Sequence, residues 1–334
     1  MNEFDFIAAY LAPLAAGDKG ALGLKDDAAL VRVPQGHELV ITKDALVEGV
    51  HFTGHEPPDV IARKMLRVNL SDLAAMGAKP YGYFMALMLP GYADEAWLAA
   101  FAEGLKGDQE IYGLHLLGGD TTRTPGPLAL SVTALGIVPI DTALKRSGAK
   151  AGDDIYVTGT IGDAALGLRE ARGSRDDVRG SENKVIPRPS SLDSRAYLLQ
   201  RYQLPEPRIA FGQALRGIAS SCMDISDGLA QDLGHICECS EVGAIIHWPR
   251  MPLSDAARKM QPEDFHEAVL AGGDDYELLF TAPASESARI QSLAEAHALA
   301  ATRIGQIKAG KEVLILDAEE NPIMLARKGY RHFE

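Results

Sequence analysis

A chain of mixed helices and strands in two domains is what the sequence predicts, and three observations carry that reading. The 334 residues are enough for two ordinary domains. Segments with helical spacing and segments with strand spacing recur along the whole length, separated by loops. A polar, glycine-rich break, RSGAKAGD at residues 146–153, divides the chain into an N-terminal domain over 1–145 and a C-terminal domain over 146–334. Hydrophobic content of 46% and charged content of 24% are those of a soluble globular protein. The net charge of −13 argues against partners such as nucleic acid or a membrane surface. An acidic protein that handles phosphates draws its counter-charge from metal ions. The acidic start MNEFD does not read as a signal peptide, and no apolar run is long enough to span a bilayer, so a cytoplasmic location is expected. The three cysteines, Cys222, Cys237 and Cys239, are too few for a disulfide scaffold and read as reduced thiols.

Taken in order, residues 4–14 have helical spacing. A hairpin is expected next, with strands over 25–33 and 38–43 that bring Asp26 and Asp27 to the same edge as Asp44. A loop follows and presents His51. Residues 60–80, VIARKMLRVNLSDLAAMGAKP, read as one helix with Asp59 as N-cap and Gly77 and Pro80 as stop signals. Its only polar face is Arg63, Lys64 and Arg67, so its second half is expected to be buried. Asn69 and Asp72 share one face there, and a buried carboxylate is costly unless it is paired, hydrogen-bonded or bound to metal. Further on come a strand at 83–89, a helix at 95–107 and a short strand at 114–117 running into the turn Gly118-Gly119-Asp120. A strand at 128–136 closes the first half.

In the second half, a strand at 155–158 leads through Gly159 and Gly162 into a helix. This is a phosphate-cradle outline without a P-loop's Lys-Ser/Thr. Residues 173–184 are charged and poor in apolar side chains and read as a surface loop. Asp224 and Asp227 lie at a strand end turning into the helix 229–239. Gly272-Gly273-Asp274-Asp275-Tyr276-Glu277 precedes a strand at 278–281, and the tail ends KGYRHFE.

Acids therefore gather at strand ends and turns, with Asp72 on a buried helix. Each one reads either as a cap or turn residue or as a ligand. An oxygen-only set without His/Cys pairs suits Mg²⁺ rather than zinc. Carboxylates, glycines and arginines together describe a site that clamps a polyphosphate through several magnesium ions, hence an ATP-dependent enzyme.

The chain resembles the thiamine-monophosphate kinases, within the aminoimidazole-ribotide synthetase-like ATP-binding proteins. The resemblance rests on DDAAL, LVEGVHF, VNLSDLAAMGAKP, GGDTTR, RSGAKAGDDIYVTG, DISDGL, GGDDYELLF and KGYRHF, spread over nearly the whole length. Selenophosphate synthetase-like chains need a reactive cysteine near the N-terminus, whereas the first cysteine here is Cys222. The resemblance implies an α/β N-terminal domain whose strands form a barrel across a homodimer, and an α+β C-terminal domain. It implies ATP-dependent, in-line phosphorylation of thiamine monophosphate to thiamine diphosphate with several Mg²⁺ ions.

By the same resemblance Asp27, Thr42, Asp44, Asp72, Asp120, Asp224 and Asp227 match metal ligands. Lys43 stands where a hydroxyl residue usually helps bind magnesium. Gly119, Asp120, Arg146 and Ser226 match ATP contacts, and His51, Asp274 and Tyr330 match the positions that hold the thiamine phosphate. Asp44, Asp72 and Asp120 are the carboxylates expected to matter most for catalysis. Besides Lys43, Lys25 replaces a glycine and Asp274 a glutamate relative to the family pattern.

Overall fold

The computed structural model describes residues 3–178, 194–260, 262 and 264–330. The chain forms two compact units, one of residues 1–73 and 78–141, the other of residues 74–77 and 142–334.

The first unit is built on a four-stranded sheet: β1 (His37–Val47), β2 (Lys79–Leu89), β3 (His115–Arg123) and β4 (Ala129–Pro139). Its order is β1-β4-β2-β3, with β4 antiparallel to β1 and β2, and β3 parallel to β2. Helices α1 (Pro58–Ala75) and α2 (Glu95–Tyr112) belong to the same stretch of chain. Proline as the first residue of α1 costs nothing, because that N–H would have no partner in the helix. At the other end Gly77 takes φ +66°, the left-handed conformation that ends helices.

The polar face expected at the start of α1 is largely covered, and two further expectations for this unit are corrected. Lys64 and Arg67 are buried, and Asp108 on α2 receives Arg67 Nε at 2.7 Å and Arg63 Nε at 3.0 Å. A single buried carboxylate shared by two guanidinium groups makes that burial tolerable. The hairpin is absent: residues 25–36 form no strand, and the edge of β1 opposite β4 is unpaired among the described residues. Gly118-Gly119-Asp120 is not a turn but the middle of β3. A Cβ on Gly119 would lie 2.0 Å from the Met85 carbonyl oxygen, so the glycine is required by close strand contact.

The second unit carries a six-stranded sheet of β5 (Asp154–Thr158), β6 (Ser221–Asp224), β7 (Gly243–His247), β8 (Leu278–Ala282), β9 (Ala301–Lys308) and β10 (Val313–Leu316). The order is β10-β7-β9-β5-β8-β6, antiparallel except for β10 with β7. Helices α3 (Asp163–Val178), α4 (Ser194–Gln203), α5 (Ile209–Ala214) and α6 (Leu229–Ser240) follow the strands. Ile155, Val157, Leu229, Leu233, Ile236 and Ile304 are among the residues of its main core. The loop expected over 173–184 is in part the end of α3, which runs to Val178; the remainder lies outside the described residues, as does the RHFE of the terminal motif. No helix among the described residues is long and apolar enough to cross a membrane.

Candidate active site

In the first unit, strand β1 and helix α1 bring Thr42, Asp44, Asn69 and Asp72 together. Alternation along the strand puts Thr42 and Asp44 on one face. The Thr42 hydroxyl donates to Asp72 Oδ2. The Asp44 N–H donates to Asn69 Oδ1 at 3.2 Å, and Asn69 Nδ2 donates to the Met65 carbonyl at 3.0 Å, which fixes the amide's orientation. Asn69 thus orients the strand that carries Asp44. Burial and the nearby Asp72 charge push the Asp44 carboxyl up to about 6. Two carboxylates held close enough to repel are a poor arrangement for a structural site and a good one for a cation.

Lys43 does not join them. On the alternate face of β1 its Nζ donates to the Ser131 hydroxyl at 2.8 Å and reaches the Thr133 hydroxyl at 3.4 Å. The expected contact of Lys43 with a metal is therefore not what this geometry favours: its ammonium group is occupied by hydroxyls of β4.

Asp120, Gly119, Asp26 and Asp27 line a cavity of about 470 Å³ along the β3 edge. The β1 cluster lies on the other edge of the sheet. Asp44, Val132, Met85 and Gly119 form one row across the four strands, so two strands separate Asp44 from Gly119. That is a lateral spacing of about 14 Å for a flat sheet. His51 follows β1, and its Nδ1 accepts the Val47 N–H at 3.0 Å, which fixes the tautomer with the proton on Nε2.

In the second unit, residues 225–228 between β6 and α6 gather most of the remaining candidates. The Asp274 N–H donates to the Ser226 carbonyl at 2.9 Å, and the Tyr330 N–H donates to the Asp227 carbonyl at 3.0 Å. Gln231 Nε2 donates to Asp227 Oδ2 at 3.0 Å and to the Tyr330 carbonyl at 3.2 Å. Asp224 is buried at the end of β6, while the Tyr330 side chain is 48% exposed. Arg146 is exposed and lies apart, because Ser240 holds its loop at the far end of α6. That helix has 12 residues and so is about 18 Å long.

Three carboxylates that sequence reasoning left out of the site shape it. Asp275, buried, accepts the N–H groups of Gly162 at 2.7 Å and Ala164 at 3.2 Å, so it occupies the N-terminus of α3 where a phosphate cradle was outlined. Burial pushes its carboxyl up to about 8. Glu277, with no exposed surface, accepts from Arg208 Nε at 2.7 Å, Arg201 Nη2 at 2.8 Å and the Thr158 hydroxyl at 2.7 Å. Burial would raise its pKa, but Arg208 and Arg201 outweigh that and hold it below the usual carboxylate range. Asp232, on the first turn of α6, accepts three backbone N–H groups of the 226–228 turn. The partners of Asp275 and Glu277 lie more than sixty residues away, and those of Asp232 are backbone N–H groups, so residue type alone announces none of these roles.

Among the described residues, no group of three or more His, Cys, Asp or Glu side chains is arranged to hold a metal ion unaided. Magnesium does not need one: it commonly takes one or two carboxylates and completes its octahedron with water and substrate phosphates. The hydroxyl and carboxylate donors of Thr42, Asp44 and Asp72 fit that demand.

Comparison with known proteins now decides the family. The chain matches the AIR synthase related protein family, through its N-terminal domain over residues 25–138 and its C-terminal domain over 150–317. It is 42% identical to a thiamine-monophosphate kinase of Escherichia coli (strain K12), over 99% of this chain and 98% of that one. The chain belongs to the thiamine-monophosphate kinase family. Bacillus subtilis (strain 168) has a family member 33% identical over the full length of both chains. The crystal structure of the thiamine-monophosphate kinase from Stenotrophomonas maltophilia K279a is 43% identical over 87% of this chain and 89% of that one, with a TM-score of 0.79. A structure of AaThiL complexed with AMPPCP and TMP matches at a TM-score of 0.76 and 29% identity, over 99% of this chain and 97% of that one. The two-domain fold of this chain is that of the AIR synthase related proteins.

Proposed function

We propose that this chain phosphorylates thiamine monophosphate with ATP, giving thiamine diphosphate and ADP. The observation that carries the reading is the Asp44–Asp72 pair with Thr42, a rigid oxygen-donor set whose mutual repulsion a cation relieves. Support comes from the relatives named thiamine-monophosphate kinase and from the family structure holding AMPPCP, an ATP analogue, together with TMP.

Several Mg²⁺ ions, when bound, neutralise the polyphosphate and the developing charge of an in-line transfer. Asp44 and Asp72, with Thr42, hold one part of that set. Asp27 and Asp120 hold another at the β3 edge, where Gly119 lines the same cavity. Asp224 and Asp227 serve the second unit, with Ser226 and Arg146 on ATP. His51, Asp274 and Tyr330 receive the thiamine phosphate, Tyr330 through its exposed ring. The attacking phosphate oxygen is already anionic at neutral pH, so no side chain is needed as a general base. Positioning and charge neutralisation carry the catalysis.

Residues 1–145 would bind metal and ATP and dimerise; residues 146–334 would complete the ATP and substrate contacts. A homodimer with a shared barrel is supported by the two edges of the first sheet that no strand pairs among the described residues and by Ile41 on β1, which is 60% exposed. The protein is expected to act in the cytoplasm. Incubating the purified chain with MgATP and thiamine monophosphate should yield thiamine diphosphate, read by chromatography. Binding of both ligands without product would overturn the kinase reading.

A further inference from the structure

The 226–228 turn is organised peptide by peptide. Three successive peptide units turn their N–H groups inward onto one atom: Ser226 N at 3.1 Å, Asp227 N at 3.2 Å and Gly228 N at 3.1 Å all donate to Asp232 Oδ2. A trans peptide points its carbonyl opposite to its N–H. The same three units therefore present their oxygens outward, and each oxygen receives a different backbone donor. The Ile225 carbonyl accepts Tyr276 N–H at 2.8 Å, the Ser226 carbonyl accepts Asp274 N–H at 2.9 Å, and the Asp227 carbonyl accepts Tyr330 N–H at 3.0 Å.

Two further features depend on this turn. Asp274 and Tyr276 are non-glycine residues at φ +70° and +51°, conformations that persist only where surrounding bonds enforce them. A Cβ on Gly273 would lie 2.3 Å from the Ser226 carbonyl oxygen, so the 272–276 segment is seated directly on the turn. Asp232 is 1% exposed and so cannot itself touch a substrate arriving from solvent.

We infer that Asp232 is a positioning residue for the thiamine-phosphate subsite: as the internal acceptor of the 226–228 turn, it orients the carbonyls from which Asp274 and Tyr330 hang. The oxygen that accepts all three N–H groups polarises each peptide unit and strengthens the bond its carbonyl accepts. Segments far apart in sequence, 274–276 and 330, are thereby set relative to each other by one carboxylate. Within the second unit ATP depends on it less, because of the ATP contacts assigned there Arg146 lies at the far end of α6 and only Ser226 belongs to the turn.

The inference rests on the kinase assignment, and the test separates the two. Steady-state kinetics would be measured for the full chain, Asp232→Ala and Asp232→Asn, with thermal unfolding as a check of folding. Absence of product with the unmodified chain would sink the assignment itself. With an active parent, Asp232→Ala should raise KM for thiamine monophosphate at least tenfold and KM for ATP no more than twofold. Asp232→Asn, which keeps shape and one acceptor oxygen, should recover part of the loss. A fall in kcat with both KM values unchanged, or an equal rise in both, would mean a merely structural role and would overturn the inference. If the alanine variant does not fold, the asparagine variant decides alone: a rise of at least threefold confined to thiamine monophosphate supports the inference, and anything else refutes it.

Discussion

Three buried carboxylates of the second unit and one pair of the first are treated in opposite ways. In the second unit each has internal compensation: Glu277 faces Arg201 and Arg208, Asp275 faces two N–H groups at the start of α3, and Asp232 faces three in a turn. In the first unit Asp44 and Asp72 face each other, and each makes the other's charge less favourable. A carboxylate matched by cations or N–H donors holds structure together, whereas carboxylates that oppose one another mark a place for a ligand of positive charge. The acid count alone does not tell these apart.

The sharpest way to break the contrast is at Asp72. Asp72→Asn removes the charge while keeping the shape and the contact with Thr42. It should lower kcat about a thousandfold, corresponding to about 4 kcal/mol of barrier, with thermal unfolding little changed. Thiamine diphosphate formation under saturating MgATP is the measurement, and an active variant would remove the metal role.

Glu277 should behave in the reverse sense. Glu277→Ala takes from Arg201 and Arg208, 11% and 13% exposed, the buried carboxylate they share and leaves them Asp163 and Glu206. Breaking such a buried pair from one side costs about 3 kcal/mol or more, and it should appear as a lower denaturation midpoint. An effect on activity with no loss of stability would contradict the structural assignment.

Asp275 makes the contrast visible in pH. Its folded pKa near 8 stands above the unfolded value of about 4. The folded state therefore binds the proton more tightly. Its contribution to stability is fully present below pH 4 and is lost as the pH rises through 8. Unfolding free energies measured from pH 5 to pH 8.5 should fall with pH in the parent, and Asp275→Asn should flatten that slope even if it lowers stability throughout. A slope that is identical in both chains would show that Asp275 is ionised in the folded state at pH 5.

The elements legible in the sequence were those with a local cause. Helix α1 was placed within a few residues because its apolar spacing and Gly77 are local signals, and β2 and β4 followed from alternation. The hairpin does not form because a strand needs a partner, and residues 25–36 pair with none among the described residues. The Gly118-Gly119 pair was read as a turn because two glycines permit one. What requires Gly119 is the Met85 carbonyl of the neighbouring strand, invisible in a linear reading. At the site, Asp44 and Asp72 were identifiable and Asp232 was not, because three backbone N–H groups leave no mark on residue type.

Lys43 gives the smallest and most discriminating prediction. Sequence position sets it beside Asp44, in a family pattern that favours a hydroxyl there, while strand alternation turns it toward Ser131 and Thr133. A side chain on that face has no route to the Asp44–Asp72 pair through its own strand. Lys43→Ser should therefore change kcat/KM for MgATP by less than about threefold, or about 0.6 kcal/mol, and leave the magnesium dependence of the rate where it was. A tenfold shift in that dependence would place Lys43 with the metal-facing residues and would mean that the division of β1 into a ligand face and a hydroxyl-bonded face is wrong.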